Sequence, residues 1–307
     1  RLFGLACRGN SLRIVSMIIR FRVGRFMSVQ GGGFRGRLRA RSAGKVLAAG
    51  IAVVLGFGPA AADRLLFIGN SYLQDGGGVH VHAAALASSA APERRIEVAA
   101  STFRGSRVDE QDISATLARA PYDTVVLQGH STAALTEAAR ERFRTAVRRA
   151  HREIAAKGGQ TVLYMTPAYS AAHPRHDTDM ISRIATEYTD LGRELGASVI
   201  PGGLAYESAS ARRPDIALHK PDGSHATVRG IYLAAATTAA ALFGIDPRAA
   251  AYAMDGAIAL EDADFLRTVA ADAVRQAQSC TQQGRVMERV WTGDDLSGNG
   301  MATPIQC

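Results

Sequence analysis

The chain has 307 residues, 47% of them hydrophobic, enough to bury the core of one domain with appendages. Its formal charge of +8 would suit a nucleic-acid partner, but residues 1–62 hold 11 Lys and Arg and no acidic residue, leaving 25 basic against 28 acidic residues in the remainder. The remainder carries no basic footprint, so nucleic acid is excluded as the expected partner.

Residues 1–62 read as a basic leader and signal peptide. Arg35, Arg37, Arg39, Arg41 and Lys45 form a basic stretch, residues 46–57 an apolar run of h-region length, and Ala60-Ala61-Ala62 a small-residue cleavage site before Asp63. The run is short for a bilayer span, which takes about 20 apolar residues; an uncleaved anchor is the competing reading. A secreted or periplasmic protein with no stable membrane association after cleavage is therefore expected. Residues 1–26, upstream of Met27, read either as an over-extended translation or as a genuine basic amphipathic segment over 12–26.

Beyond the leader, short apolar runs alternate with longer amphipathic stretches. The run 64–68 stops at Gly69-Asn70-Ser71, and 95–100, 124–128, 161–165 and 198–200 are further candidate strands. Candidate helices at 79–90, 109–119, 136–156, 177–195 and 228–242 follow them in turn, and another spans 261–277. This alternation predicts one α/β domain over 63–279, with a parallel sheet of about five strands and helices on both faces. Sites in such sheets gather at the carboxyl ends of the strands. Residues 280–307 form a tail with little apolar patterning. Cys280 and Cys307, an even pair in an exported protein, are candidates for a disulfide that would close it; two free thiols are the alternative.

Ser71 directly follows the first strand. Gly69 and turn-prone Asn70 let the chain bend and expose a hydroxyl where helix N-terminal amides can face a developing oxyanion. The plainer reading is a serine that caps the next helix. Far downstream, in Lys220-Pro221-Asp222-Gly223-Ser224-His225, Asp222 and His225 stand three residues apart across a Gly-containing turn. That spacing brings a carboxylate to one imidazole nitrogen while the other faces a serine. Alone it is a weak signal, since Asp222 equally suits a cap for a helix starting near Ala226.

Together, Gly69-Asn70-Ser71 and Asp222-Gly223-Ser224-His225 resemble the first and last blocks of the SGNH (GDSL-like) hydrolases, and Gly230-Ile231-Tyr232-Leu233-Ala234-Ala235 resembles the helix that follows. The resemblance covers most of residues 65–243. It implies a three-layer α/β/α flavodoxin-like sandwich and ester hydrolysis through an acyl-serine, with Ser71 as nucleophile and Asp222 and His225 completing the triad. It also implies an oxyanion hole built from the Ser71 amide and a glycine after the second strand, for which Gly105 is the candidate. The third block departs from the family's Gly-x-Asn-Asp: the chain reads Leu127-Gln128-Gly129-His130-Ser131, similar to a branch with Leu-Gln-x-x-Ser. Either His130 or Gln128 is then the candidate third donor, a contribution worth about 2.7–4 kcal/mol of transition-state stabilisation.

Other residues weigh less. His80 and His82, at i, i+2, do not share a helix face and read as polar or rim residues. His173, His176 and Asp177 lack the helical zinc spacing and read as part of a substrate-side lid. Gly76-Gly77-Gly78 is not a phosphate loop. Trp291 suits either sugar stacking or anchoring of the tail. No metal or cofactor is expected. The expected activity is an exported serine esterase removing an O-acetyl or other short acyl group from a small-molecule or carbohydrate ester. The rivals are an SGNH-like O-acyltransferase acting on polysaccharide and a non-catalytic binding module that keeps the fold.

Overall fold

Apolar runs bounded by turn-forming residues become strands in the computed structural model, which describes residues 62–282. The leader, the tail beyond 282, Trp291 and Cys307 lie outside the described residues. β1 (Asp63–Gly69), β2 (Ile96–Thr102), β3 (Thr124–Gln128), β4 (Gln160–Tyr164) and β5 (Ser198–Ile200) form one parallel sheet in the order β2-β1-β3-β4-β5. This is the flavodoxin-like order, which reverses between β1 and β3; the crevice outside the carboxyl ends at that point is where ligands bind in open sheets.

Successive side chains of a strand serve opposite faces. Leu65 and Phe67 join the apolar layer under α2 (Val79–Ala90), α7 (Val228–Phe243) and α8 (Leu260–Gln282), whereas Leu66 and Ile68 join the layer under α4 (Glu137–Ala156) and α5 (Met180–Leu195). Burying each such side chain contributes roughly 1.5–3 kcal/mol. The fold is thus the three-layer α/β/α sandwich that the resemblance implies. Among the described residues no helix is long and apolar enough to cross a membrane.

Four boundaries differ from the sequence reading, each for a local reason. The helix expected over 109–119 is a 3-10 turn at Val108–Glu110 followed by the short α3 (Ile113–Leu117). Gln111 breaks it: its backbone is extended, its buried side chain donates to the Gly69 carbonyl, and Asp112 caps α3 through the Ala115 amide. α5 starts at Met180 rather than 177, because the Asp177 carboxylate accepts from the Asp179 amide in a turn of its own. α6 (Gly202–Arg212) went unread, since Pro201-Gly202-Gly203 looks like a stop; the glycines are there because a Cβ at 203 would lie 2.4 Å from the Thr166 carbonyl oxygen. α8 runs on to Gln282. Cys280, buried near its end, is disulfide-bonded; Cys307, its expected partner, lies outside the described residues.

Candidate active site

Ser71 opens the short helix α1 (Ser71–Gln74) immediately beyond β1. Asn70 is the N-cap: its Oδ1 accepts from the Tyr72 amide at 3.1 Å. The capping role is therefore filled by Asn70, and Ser71 occupies the first helical position, where the backbone N–H has no intrahelical acceptor.

The segment carrying Asp222 and His225 lies between α6 and α7. It closes on itself, with the Lys220 amide donating to the His225 carbonyl at 2.7 Å and the Thr227 amide to Leu218 at 2.9 Å. Thr227, not Asp222, caps α7 through the Gly230 amide. The Asp222 carboxylate instead turns back on its own segment: Oδ1 accepts from the Ser224 and His225 amides, both at 2.9 Å, and Oδ2 lies 2.7 Å from His225 Nδ1. Burial works against its charge, but the two amides and the imidazole outweigh that penalty and hold the carboxyl down at about 2. His225 Nε2 is 3.1 Å from Ser71 Oγ. Three side chains from the two ends of the domain thus form the continuous chain hydroxyl–imidazole–carboxylate.

The oxyanion candidates fare differently. Gly105 sits in the exposed turn after β2 with φ of +70°, a conformation that disfavours any side chain although open space surrounds it. His130 Nδ1 accepts from the Thr132 amide at 3.2 Å and lies 2.8 Å from the Thr132 hydroxyl. Burial, with Arg107 and Arg175 nearby, lowers its pKa; with Nδ1 accepting the Thr132 amide, the neutral ring carries its proton on Nε2, free of Thr132 and able to donate. Gln128 is not a spare donor. Its side chain is buried and spent: Nε2 donates to Asn70 Oδ1 and to the Gly129 carbonyl, and Oε1 accepts from the Asn70 amide. Gln128 as oxyanion donor is thereby corrected, because both amide hydrogens already have acceptors.

Several residues without a motif of their own build the surroundings. Asp75, one turn after Ser71 and buried, pairs with Arg104 at 2.6 Å and Lys220 at 3.3 Å, tying α1 to the Gly105 turn and to the Asp222 segment. The Tyr72 hydroxyl lies 2.7 Å from Ser224 Oγ, and its ring meets the His225 imidazole edge-on at 6.0 Å. Burial raises the Tyr72 phenol to about 12, so it stays protonated. Gly69 lets the chain bend, as its sequence suggests, and its carbonyl also collects donors from the Phe103 amide, Ser106 Oγ and Gln111 Nε2. No sequence signal marks Gln111 or Asp75, whose partners lie far along the chain.

His173, His82 and His80 are engaged in packing and hydrogen bonds away from Ser71 and His225. His173 stacks on Tyr169 at 3.7 Å, and a Cβ at Gly223 would lie 2.5 Å from its backbone nitrogen. With the Ser170 amide bonded to the Gly223 carbonyl, this stretch buttresses the Asp222 segment where a lid was expected. His82 bridges Tyr252 Oη and the Gly76 carbonyl, both at 2.8 Å. His80 was expected at the rim; it packs 5.7 Å from the Phe67 ring, and burial lowers its pKa to about 4.

By sequence, no family model matches the chain and no curated protein resembles it significantly. By structure it is similar to a DUF4886-family protein from Bacteroides uniformis, at 17% identity and a TM-score of 0.60, over 70% of this chain and 95% of that one. The chain has the three-layer fold expected of an SGNH-type protein. Weaker likenesses include a putative SGNH hydrolase from Slackia heliotrinireducens (24% identity, TM-score 0.49, 58% and 98% of the two chains) and a variant of an acetylxylan esterase from Geobacillus stearothermophilus (16%, 0.46, 58% and 92%). In this three-layer fold, the Gly69-Asn70-Ser71 and Asp222–His225 blocks meet at the carboxyl edge of the sheet.

Proposed function

We propose that the protein is an exported serine ester hydrolase of the SGNH type, with Ser71 as nucleophile and His225 and Asp222 as its base and orienting carboxylate. One observation carries the reading: His225 stands 3.1 Å from the Ser71 hydroxyl through Nε2 and 2.7 Å from the Asp222 carboxylate through Nδ1. Export is supported by the leader pattern alone, and the acyl class by the family resemblance alone.

The chemistry follows acyl transfer in general. His225 Nε2 takes the Ser71 proton as Oγ adds to the ester carbonyl, and Asp222 fixes the tautomer and stabilises the imidazolium. The oxyanion is held by the Ser71 amide, the Gly105 amide and the His130 Nε2–H. The imidazolium gives its proton to the leaving alkoxide oxygen, which departs as alcohol and leaves an acyl-serine. Water, deprotonated by His225, then cleaves that ester, releasing carboxylic acid and restoring the Ser71 hydroxyl. No cofactor enters the scheme. Turnover of 4-nitrophenyl acetate tests it: Ser71→Ala and His225→Ala should each lower kcat by roughly 10⁵–10⁶-fold, and wild-type turnover in either variant would remove the assignment.

A further inference from the structure

We infer that Gln128 is a positioning residue for the nucleophile: its side-chain amide, clamped onto Asn70, sets the backbone turn from which Ser71 addresses His225. The inference rests on Ser71 being that nucleophile.

The clamp follows from the sheet. Ile68 of β1 and Leu127 of β3 are register partners, so Gly69 and Gln128 leave the sheet side by side. Gly69 has no Cβ, and the Gln128 amide fills that space: an added Cβ would lie 2.4 Å from Gln128 Oε1. From there the amide reaches Asn70 with two opposed hydrogen bonds, Asn70 N–H to Gln128 Oε1 at 3.0 Å and Gln128 Nε2–H to Asn70 Oδ1 at 3.1 Å. The same Asn70 oxygen accepts the Tyr72 amide. The Gly69–Asn70 and Ser71–Tyr72 peptide groups are therefore oriented through one buried pair, Asn70 at 3% and Gln128 at 1% exposure. The intervening Ser71 amide and Cβ have little freedom left. A reacting group displaced by about 1 Å costs on the order of 10²-fold in rate, which is the scale on which such a clamp matters. Polar residues that merely satisfy one another in a core carry no such consequence, and this separates the two roles experimentally.

Gln128→Met keeps side-chain length and removes both bonds. Its kcat per fluorophosphonate-titrated site should fall about 30- to 100-fold, with KM within about threefold of wild type. A purely structural role would lower stability and the titrated fraction while leaving kcat per titrated site intact. Gln128→Glu supplies a second, near-isosteric variant. Only its protonated carboxyl can both accept from Asn70 N–H and donate to Asn70 Oδ1, and burial raises the pKa of that carboxyl. The ratio of its kcat to the wild-type kcat should therefore climb roughly tenfold as pH falls from about 8 to about 5. Wild-type kcat per titrated site in Gln128→Met, or a pH-independent ratio in Gln128→Glu, would overturn the inference. Ester turnover surviving in Ser71→Ala would remove the hydrolase reading and the inference together, whereas probe attachment at Ser71 with unimpaired Gln128 variants would remove the inference alone.

Discussion

The two segments that meet at the site are held in opposite ways. The Asp222–His225 segment organises itself, through carboxylate bonds to amides two and three residues on and a closure between Lys220 and His225. The Gly69–Ser71 turn is held from afar, by side chains 37 to 58 residues away: Ser106, Gln111 and Gln128. In the first segment the carboxylate–imidazole geometry comes from bonds within the segment, with Ser170 and Asp75 bracing it from outside. A turn held from a distance fails when any of its remote partners is lost, even where the nucleophile itself is untouched.

This contrast can be broken or sharpened by experiment. The largest effect among these should come from Asp222→Asn, which leaves the segment folded but holds the imidazole in the wrong tautomer; kcat should fall about 10⁴-fold, read by ester turnover, with the probe-reactive fraction assayed alongside. His130→Ala, which removes the Nε2–H donor, should lower kcat by roughly 10²–10³-fold with little change in KM, and His130→Asn should recover activity. An unchanged kcat in His130→Ala would leave that donor role empty. Gly69→Ala should act at a distance from the Asp222 segment by pushing the Gln128 amide off Asn70, costing about 10–100-fold in kcat. Normal kcat in this variant would mean that the turn is less dependent on its remote partner than its bonding suggests.

The smallest effect concerns acid. The Asp222 carboxyl is depressed from 3.8 to about 2, so its contribution to stability is fully present above 3.8 and is lost as pH falls through about 2. The unfolding free-energy difference between wild type and Asp222→Asn should stay constant from neutral pH down to about 4 and shrink below that, as followed by denaturant melts. The carboxylate is about half exposed, so the change should be modest.

The same division explains what could be read from the sequence. Apolar runs located all five strands to within two residues; the three central ones, β1, β3 and β4, are buried along most of their length, where a continuous apolar run is the signal. Asp-x-x-His was legible because its bonds are local, and Gly-Asn-Ser because it ends a strand. What escaped notice depends on partners distant in the chain. Gln128 looked like an oxyanion donor only because its partner, Asn70, could not be assigned without the β1–β3 register. Gln111 interrupted an amphipathic helix pattern to reach Gly69, and α6 hid behind a glycine pair whose purpose is close approach to the end of β4.

Identifying the modified peptide after fluorophosphonate treatment, in wild type and in His225→Ala, goes straight to the question of which hydroxyl attacks. Adduct on the peptide containing Ser71 in the wild type, and almost none when the imidazole is gone, is the expected result. An adduct on another residue, or equal labelling of Ser71 without His225, would contradict the pairing of this hydroxyl with this base.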